Sequence, residues 1–284
     1  MPSAVIDGIS TRYEVVGNGP ALLMYAPGGF DATIEKWSTQ GVYARVKLLE
    51  HLPKKYRCIV FDRRECGQSW GRVEPVTWNH YAVQGKGLLD HLGIDKAHIA
   101  GGCMGCSCVV AFGVAFPQAT LSMLLWWPVG GAKYRIKARQ RFADHLAFVR
   151  SDGLNGVVKL ISEEGKPFSA DPRGGPWASP IRNDATFAAA FAKQDVRRYT
   201  ELVERMGRTL FDRDTSPGAE PEALLKLDIP ALMVPGRDES HATSAARYLE
   251  ECLPRSEYWD VLPDAQTTEN APARVLKFLD AAPR

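Results

Sequence analysis

The sequence predicts an α/β protein: a mostly parallel central sheet flanked by helices, with a helical insertion late in the sheet. Three observations carry that expectation. Short apolar runs bounded by turn residues alternate with longer amphipathic segments, the pattern of parallel strands covered on both faces. The alternation stops after Trp127, and from about Gly130 to Pro221 the chain reads as several helices. At 284 residues, 45% of them apolar, the chain can bury one large core, and single α/β domains reach this length.

Taken in order, strands are expected at Ala21–Ala26, Cys58–Phe61, His98–Ala100, Leu121–Trp127, Ala231–Val234 and Glu257–Val261. Helices are expected at Tyr81–Leu92, Cys106–Phe116, Ser244–Leu253 and Ala273–Leu279. The second of these is rich in small and apolar residues, so it should be buried. Residues 1–129 and 222–284 then form the sheet domain, and 130–221 the insertion. Such an insertion either pads the sheet or lies as a lid over the strands' carboxyl ends, where ligands bind in open α/β sheets. Its Gly/Pro-rich stretch, Asp171–Pro180, is expected to be the most exposed and most easily cleaved part.

Charge and composition exclude several classes of function. Lys and Arg number 35 against 33 Asp and Glu, so there is no basic stripe for nucleic acid or membrane surfaces. The N-terminus has no charged region followed by an apolar stretch, and no segment approaches the roughly 20 apolar residues of a membrane span. A cytoplasmic protein with reduced thiols is the expectation, with a small-molecule substrate as partner and a homodimer left open. The six cysteines do not suggest a disulfide framework in a chain of this size. Cys103-Met-Gly-Cys106 has redox spacing, but no second such pair or suitably spaced histidines complete a zinc site.

The strongest chemical signal is His98-Ile-Ala-Gly101-Gly102-Cys103-Met104-Gly105-Cys106. A strand ends in small–x–nucleophile–x–small and runs straight into a helix. A nucleophile on such a turn sits in strained backbone, so the residues two places either side must be small for strand and helix to approach. The Met104 N–H can then point at a developing oxyanion. The plain alternative is a glycine-rich strand end selected for packing.

With these residues in view, the chain resembles the α/β-hydrolase family over nearly its full length. Pro27-Gly28-Gly29-Phe30 is similar to the family's His-Gly oxyanion loop, with proline in place of histidine. Asp62-Arg63-Arg64-Glu65-Cys66-Gly67-Gln68-Ser69 is similar to its Asp-x-Arg-Gly-x-Gly-x-Ser turn, with Glu65 departing from glycine. Leu232-Met-Val-Pro-Gly236-Arg-Asp238 resembles the strand and turn that present the family's acid, and nucleophile, insertion and acid follow the family's order. The resemblance implies that the insertion is a lid.

Two departures stand out. Cys103 replaces serine, as in dienelactone-hydrolase-like members. The family's histidine belongs after the last strand, but Leu262-Pro263-Asp264-Ala265-Gln266-Thr267-Thr268-Glu269-Asn270 contains none. The two changes fit together, because a thiol starts near pKa 8.5 and a helix N-terminus lowers it by about one unit or more. Loss of catalysis would also explain them. Of the six histidines, His51 and His91 fall on helices far from the strand tops, His98 begins a strand at the wrong end, and His80 starts a helix. His145 on an insertion helix could face a pocket. His241, three residues after Asp238, is the best candidate base, with a solvent-facing helix-start residue as the plain alternative.

The resulting expectation is a hydrolase or acyl transferase for a small ester, thioester, lactone or related carbonyl compound. Cys103 attacks, Gly29 (or Phe30) and Met104 hold the oxyanion, and Asp238 and His241 complete the site. Phe30, Trp127 and Trp177 are candidate substrate contacts, with Trp126 beside them; Arg173 and Arg182 are candidates for a substrate carboxylate. Ordinary packing and solvation are the plain readings of each. No cofactor is implied, since acyl transfer through a thiolate needs none. Two other classes stay open: a ligand-binding protein without turnover, and a thiol redox or metal-responsive protein using Cys103 and Cys106 with Cys108.

Overall fold

The computed structural model describes residues 2–283. Eight strands form one sheet: β1 (Ser3–Ile6), β2 (Ile9–Val16), β3 (Ala21–Tyr25), β4 (Arg57–Phe61), β5 (Ala97–Gly102), β6 (Thr120–Trp126), β7 (Ala231–Val234) and β8 (Ser256–Tyr258). Their spatial order is β1-β2-β4-β3-β5-β6-β7-β8. β1 and β2 are antiparallel to their neighbours, and all pairs from β4 through β8 are parallel.

Continuous apolar runs become strands because both faces of the sheet are covered. Leu23 and Tyr25, Ile59 and Phe61, Met123 and Leu125 point into one core layer. Their alternates Leu22 and Met24, Cys58 and Val60, Leu124 and Trp126 point into the other. The short helices α1 (Lys36–Thr39), α2 (Gly41–Val46) and α3 (Leu48–His51) supply residues to the second layer. On the first layer lie α4 (Trp78–His91) and α5 (Gly105–Ala115), the latter buried from Gly105 to Gly113.

Between β6 and β7 the chain inserts α6 (Ala132–Glu164), α7 (Ala178–Asn183), α8 (Ala185–Ala192), α9 (Val196–Leu210) and the short α10 (Pro221–Leu224). α6 is two helices joined at Gly153 (φ 68°). α9 buries Tyr199, Val203, Met206, Gly207 and Leu210, one face at helical spacing. Asp195 caps its first turn through the Arg198 N–H at 2.7 Å. α11 (Thr243–Cys252) and α12 (Asn270–Ala281) complete the fold, α12 giving Val275 and Phe278 to the second layer.

Three expectations need correction. The N-terminal hairpin β1–β2 is not among the expected strands, although Asp7-Gly8 at its tip (φ 49° and 70°) is a turn pair suited to a two-residue loop. The last strand stops at Tyr258 instead of Val261, because the Val261 N–H turns back onto the Trp259 carbonyl at 2.8 Å. The Asp171–Pro180 stretch is mostly buried: its backbone packs beneath α6, with the Arg173 carbonyl 2.8 Å from His145 Nδ1. Among the described residues no helix is long and apolar enough to cross a membrane.

Candidate active site

β5 ends at Gly102 and α5 begins at Gly105, leaving Cys103 in the turn with φ 54°. That left-handed conformation costs an L-residue about 1–2 kcal/mol. The neighbours explain how it is held. A Cβ at Gly101 would lie 2.4 Å from the Gly105 carbonyl oxygen, and one at Gly105 would lie 2.6 Å from that of Tyr25. Only glycine at both places lets strand and helix close on the cysteine. The Cys103 N–H donates to the Trp126 carbonyl at 3.1 Å, and Cys103 is partly exposed while the other five thiols are buried.

The loop after β7 brings His241 to this sulfur, with Asp238 behind the imidazole. Asp238 accepts the backbone N–H groups of Ser240 (2.8 Å) and His241 (2.9 Å), and both its oxygens lie 2.8 Å from His241 Nδ1. Those bonds, His241 foremost, hold the Asp238 carboxyl down at about 2. The loop is pinned from outside as well: Gly130 N–H donates to Ser240 O at 3.1 Å, and Lys133 reaches Glu239 at 3.2 Å. Burial alone would raise the Cys103 thiol, but the His241 charge and contact, with the Gly28 and Met104 N–H groups, outweigh it and hold the thiol below its ordinary value. Burial would lower His241; the thiolate and Asp238 outweigh that and push it up to about 10. His241 Nε2 is buried with no partner in full hydrogen-bond geometry. The two groups face each other, His241 drawing the Cys103 thiol down and Cys103 with Asp238 drawing the imidazole up.

The position after β8 is filled differently. Gln266 is fully buried; its Oε1 accepts Trp127 Nε1–H at 3.1 Å, and its Nε2 faces the carbonyls of Pro235 and Val261, each at 3.4 Å. Trp127 has φ 56°, and its ring packs on His241 with centroids 5.5 Å apart. Gln266 thus braces the indole that backs the imidazole.

The other histidines are committed elsewhere. His145 does not face the cavity: it is fully buried, its nitrogens lie 2.8 Å from Arg173 O and 2.7 Å from Tyr199 Oη, and burial lowers it to about 4. His98 is buried against Ser122, His80 caps Thr77 at the start of α4, and His91 lies beside Tyr13. His51 closes α3.

A cavity of about 510 Å³ opens onto Cys103. Its lining includes Gly28, Gly29, Phe30 and Met104 from the sheet domain, Tyr134, Phe142 and Phe168 from the insertion, and Ser240 with His241. Phe30 is in place. Trp127 and Trp177 do not line it: Trp127 backs His241, and Trp177 is 1% exposed, packed on Tyr199 inside the insertion. Trp126 is core. Arg173 pairs with Asp171 and Glu164, and Arg182 donates to Gly165 O, so neither reaches the cavity.

The residue that sequence reasoning missed is Arg141, on the cavity wall with no ion pair or hydrogen bond among the described residues. Its signal was the α6 spacing Tyr134, Ala138, Arg141, Phe142, one helical face that all borders the cavity. Among the described residues no three His, Cys, Asp or Glu side chains gather as a metal site would require. The Cys106 thiol donates to the Gly101 carbonyl at 3.2 Å, and Cys108 to that of Met104 at 3.7 Å.

Comparisons with known proteins agree with this architecture. A family profile described as "alpha/beta hydrolase fold" matches residues 22–125. The chain is 32% identical over 155 residues to a 2-hydroxy-6-oxo-6-phenylhexa-2,4-dienoate hydrolase of Comamonas testosteroni, covering 54% of this chain and 48% of that one. It is 30% identical over 127 residues to the dihydrolipoyllysine-residue acetyltransferase component of the acetoin cleaving system of Cupriavidus necator, covering 45% and 32%. The chain thus spans about a third to about a half of the length of these curated relatives. The crystal structure of an enol-lactonase from Burkholderia xenovorans LB400 superposes with a TM-score of 0.61 at 19% identity, over 98% of this chain and all of that one. Sheet order, elbow, profile and superposition agree: this chain has the α/β-hydrolase fold.

Proposed function

We propose that the protein is a hydrolase, or an acyl transferase, for small carbonyl substrates, with Cys103 as nucleophile and residues 130–221 as its lid. The observation that carries this reading is the meeting of a strained, partly exposed Cys103 with His241, itself held by Asp238, on the wall of a cavity. The Cys103 thiolate attacks the carbonyl carbon, forming a C–S bond and sending the carbonyl π electrons to oxygen, beside the N–H groups of Met104 and the Gly28–Phe30 loop. The intermediate collapses to a thioester, and the leaving group takes the proton of the His241 imidazolium. Water then attacks the thioester while neutral His241 accepts its proton, and the thiolate departs. The names of two matched relatives describe a hydrolase and an acetyltransferase component, which supports this class of reaction.

Arg141 supports a substrate with an anionic end. It is a cation without a partner on a wall otherwise rich in aromatic rings. Arg141→Gln should raise KM for a carboxylate-bearing ester by about tenfold, the scale of one charge-assisted hydrogen bond, and leave a neutral ester unchanged. Equal effects on both esters would remove Arg141 from substrate recognition.

Intact-mass spectrometry after incubation with activated esters and thioesters tests the whole reading. One acyl adduct, mapped to Cys103, with a burst of leaving group, is expected. No adduct and no burst with any acyl donor would replace this reading with a ligand-binding protein of the same fold.

A further inference from the structure

Arg63 is an unusual residue for its place. It lies in the Asp62-Arg63-Arg64-Glu65 turn after β4 and is completely buried. An arginine out of water is costly unless its donors are used. Among the described residues no carboxylate takes a hydrogen bond from it. Its Nη2 donates to the carbonyl of Gly28 at 2.9 Å and to that of Gly29. Its Nη1 lies 3.5 Å from Cys108 Sγ, and the guanidinium stands 5.1 Å over the Tyr81 ring. The Glu65 carboxylate is near enough to feel its charge. That carboxylate accepts Arg64 Nε–H at 2.9 Å and Tyr81 Oη–H at 3.3 Å, at a residue with φ 65°.

The two carbonyls are those of the loop bordering the cavity beside Cys103. In a planar trans peptide the C=O and N–H point in opposite directions. Drawing the Gly28 and Gly29 carbonyls onto one guanidinium therefore turns the Gly29 and Phe30 N–H groups away from it. Neither N–H finds a protein acceptor among the described residues. A full positive charge behind the carbonyls also polarises both peptides, which strengthens their N–H groups as donors.

We propose that Arg63 is a positioning residue that presets and polarises the Gly29 and Phe30 N–H groups for a substrate oxyanion. The inference rests on Cys103 acting as an acyl nucleophile. Arg63 acts on the step that places charge on the substrate oxygen, and leaves thiolate formation to His241 and Asp238.

The two steps can be measured separately on the full chain. Iodoacetamide alkylation of Cys103 reports the thiolate and creates no oxyanion. Acylation by an activated ester, and reversible addition of a trifluoromethyl ketone, both place negative charge on oxygen. Arg63→Lys keeps the charge but cannot span both carbonyls, and Arg63→Met removes it. Misplacing groups by about 1 Å can cost about 10²-fold, so acylation should fall about tenfold in Arg63→Lys and about a hundredfold in Arg63→Met. Ketone affinity should weaken in parallel, while the alkylation rate and its pH midpoint stay within about twofold and 0.3 pH units of the parent. Should Arg63→Met fail to fold, Arg63→Lys carries the comparison alone. Unchanged acylation in a folded variant, or alkylation falling in step with acylation, overturns the assignment of Arg63. A parent protein that alkylates at Cys103 but is acylated by no ester overturns the nucleophile reading, and this inference with it.

Discussion

The loops after β7 and β8 are neighbours at the same edge of the sheet tops, and they divide their duties differently from the pattern the sequence resembles. In that pattern the first presents an acid and the second a histidine. Here the first holds both: Asp238 and His241 are three residues apart, and backbone bonds to the carboxylate fold the loop so that Nδ1 meets Asp238. The second holds Gln266, buried and spent on Trp127 and two carbonyls. Chain order is therefore a poor guide to where an imidazole can stand. A short loop delivers it when its ends are fixed, and here Gly130 and Lys133 fix them.

The comparison breaks most sharply at His241. His241→Ala removes the imidazolium that holds the Cys103 thiol down and the proposed base for deacylation. General acid–base assistance is typically worth about 10²–10⁴ in rate. Steady-state turnover of an activated ester should therefore fall by at least about 10²-fold. The burst should slow but keep an amplitude near one acyl group per Cys103, measured by stopped-flow release of a chromogenic leaving group. A variant with unchanged turnover would return the base to another residue.

Asp238→Asn should produce a smaller change in the same direction, visible in pH dependence. The sign follows from the two shifts. Cys103 is held below its ordinary value, so its thiolate appears at lower pH than in a free thiol; His241 is raised to about 10, so the pair lasts until pH rises through that value. Removing the Asp238 charge takes away support for the imidazolium, which is then lost at lower pH, and the thiol loses its neighbouring cation. The midpoint of Cys103 alkylation against pH should move upward, toward the ordinary thiol range, and at any pH below the midpoint alkylation should fall about tenfold for each unit of that movement. An unmoved midpoint would mean that Asp238 orients the ring without stabilising its charge.

The parallel strands were legible because strands buried on both faces carry unbroken apolar runs, as Leu22–Tyr25 and Leu232–Val234 do. The hairpin β1–β2 was harder, since β2 goes from buried Ile9 to exposed Val15 and Val16 and offers no such run. Cys103 could be singled out because its backbone demands glycine at 101 and 105, a constraint written in residue type. His241 was visible beside Asp238, yet only packing separates it from His145, which the insertion encloses. The tryptophans and Arg63 show the opposite case. A Gly/Pro-rich stretch suggests exposure, and an arginine in a charged run suggests solvation. Trp177 and Arg63 are buried because distant segments close over them, and nothing in their own neighbourhoods announces it.

The mildest test concerns Gln266 itself. If the loop after β8 has become a brace, changing it should disturb the fold more than the chemistry. Gln266→Leu keeps much of the volume but leaves the Trp127 Nε1–H without its acceptor and removes the donor that faces two carbonyls. A buried polar group left unpaired costs about 1–3 kcal/mol, which for a domain of this size lowers the melting temperature by a few degrees, about 2–4 °C per kcal/mol. Trp127 would lean less firmly on His241, so turnover should drop only a few-fold and the midpoint of Cys103 alkylation should stay where it is. Differential scanning calorimetry and the ester assay on the same preparation separate the two effects. Should Gln266→Leu instead lose as much turnover as His241→Ala while melting normally, the amide of Gln266 would have to act on the reacting atoms, and the division of labour between the two loops would be wrong.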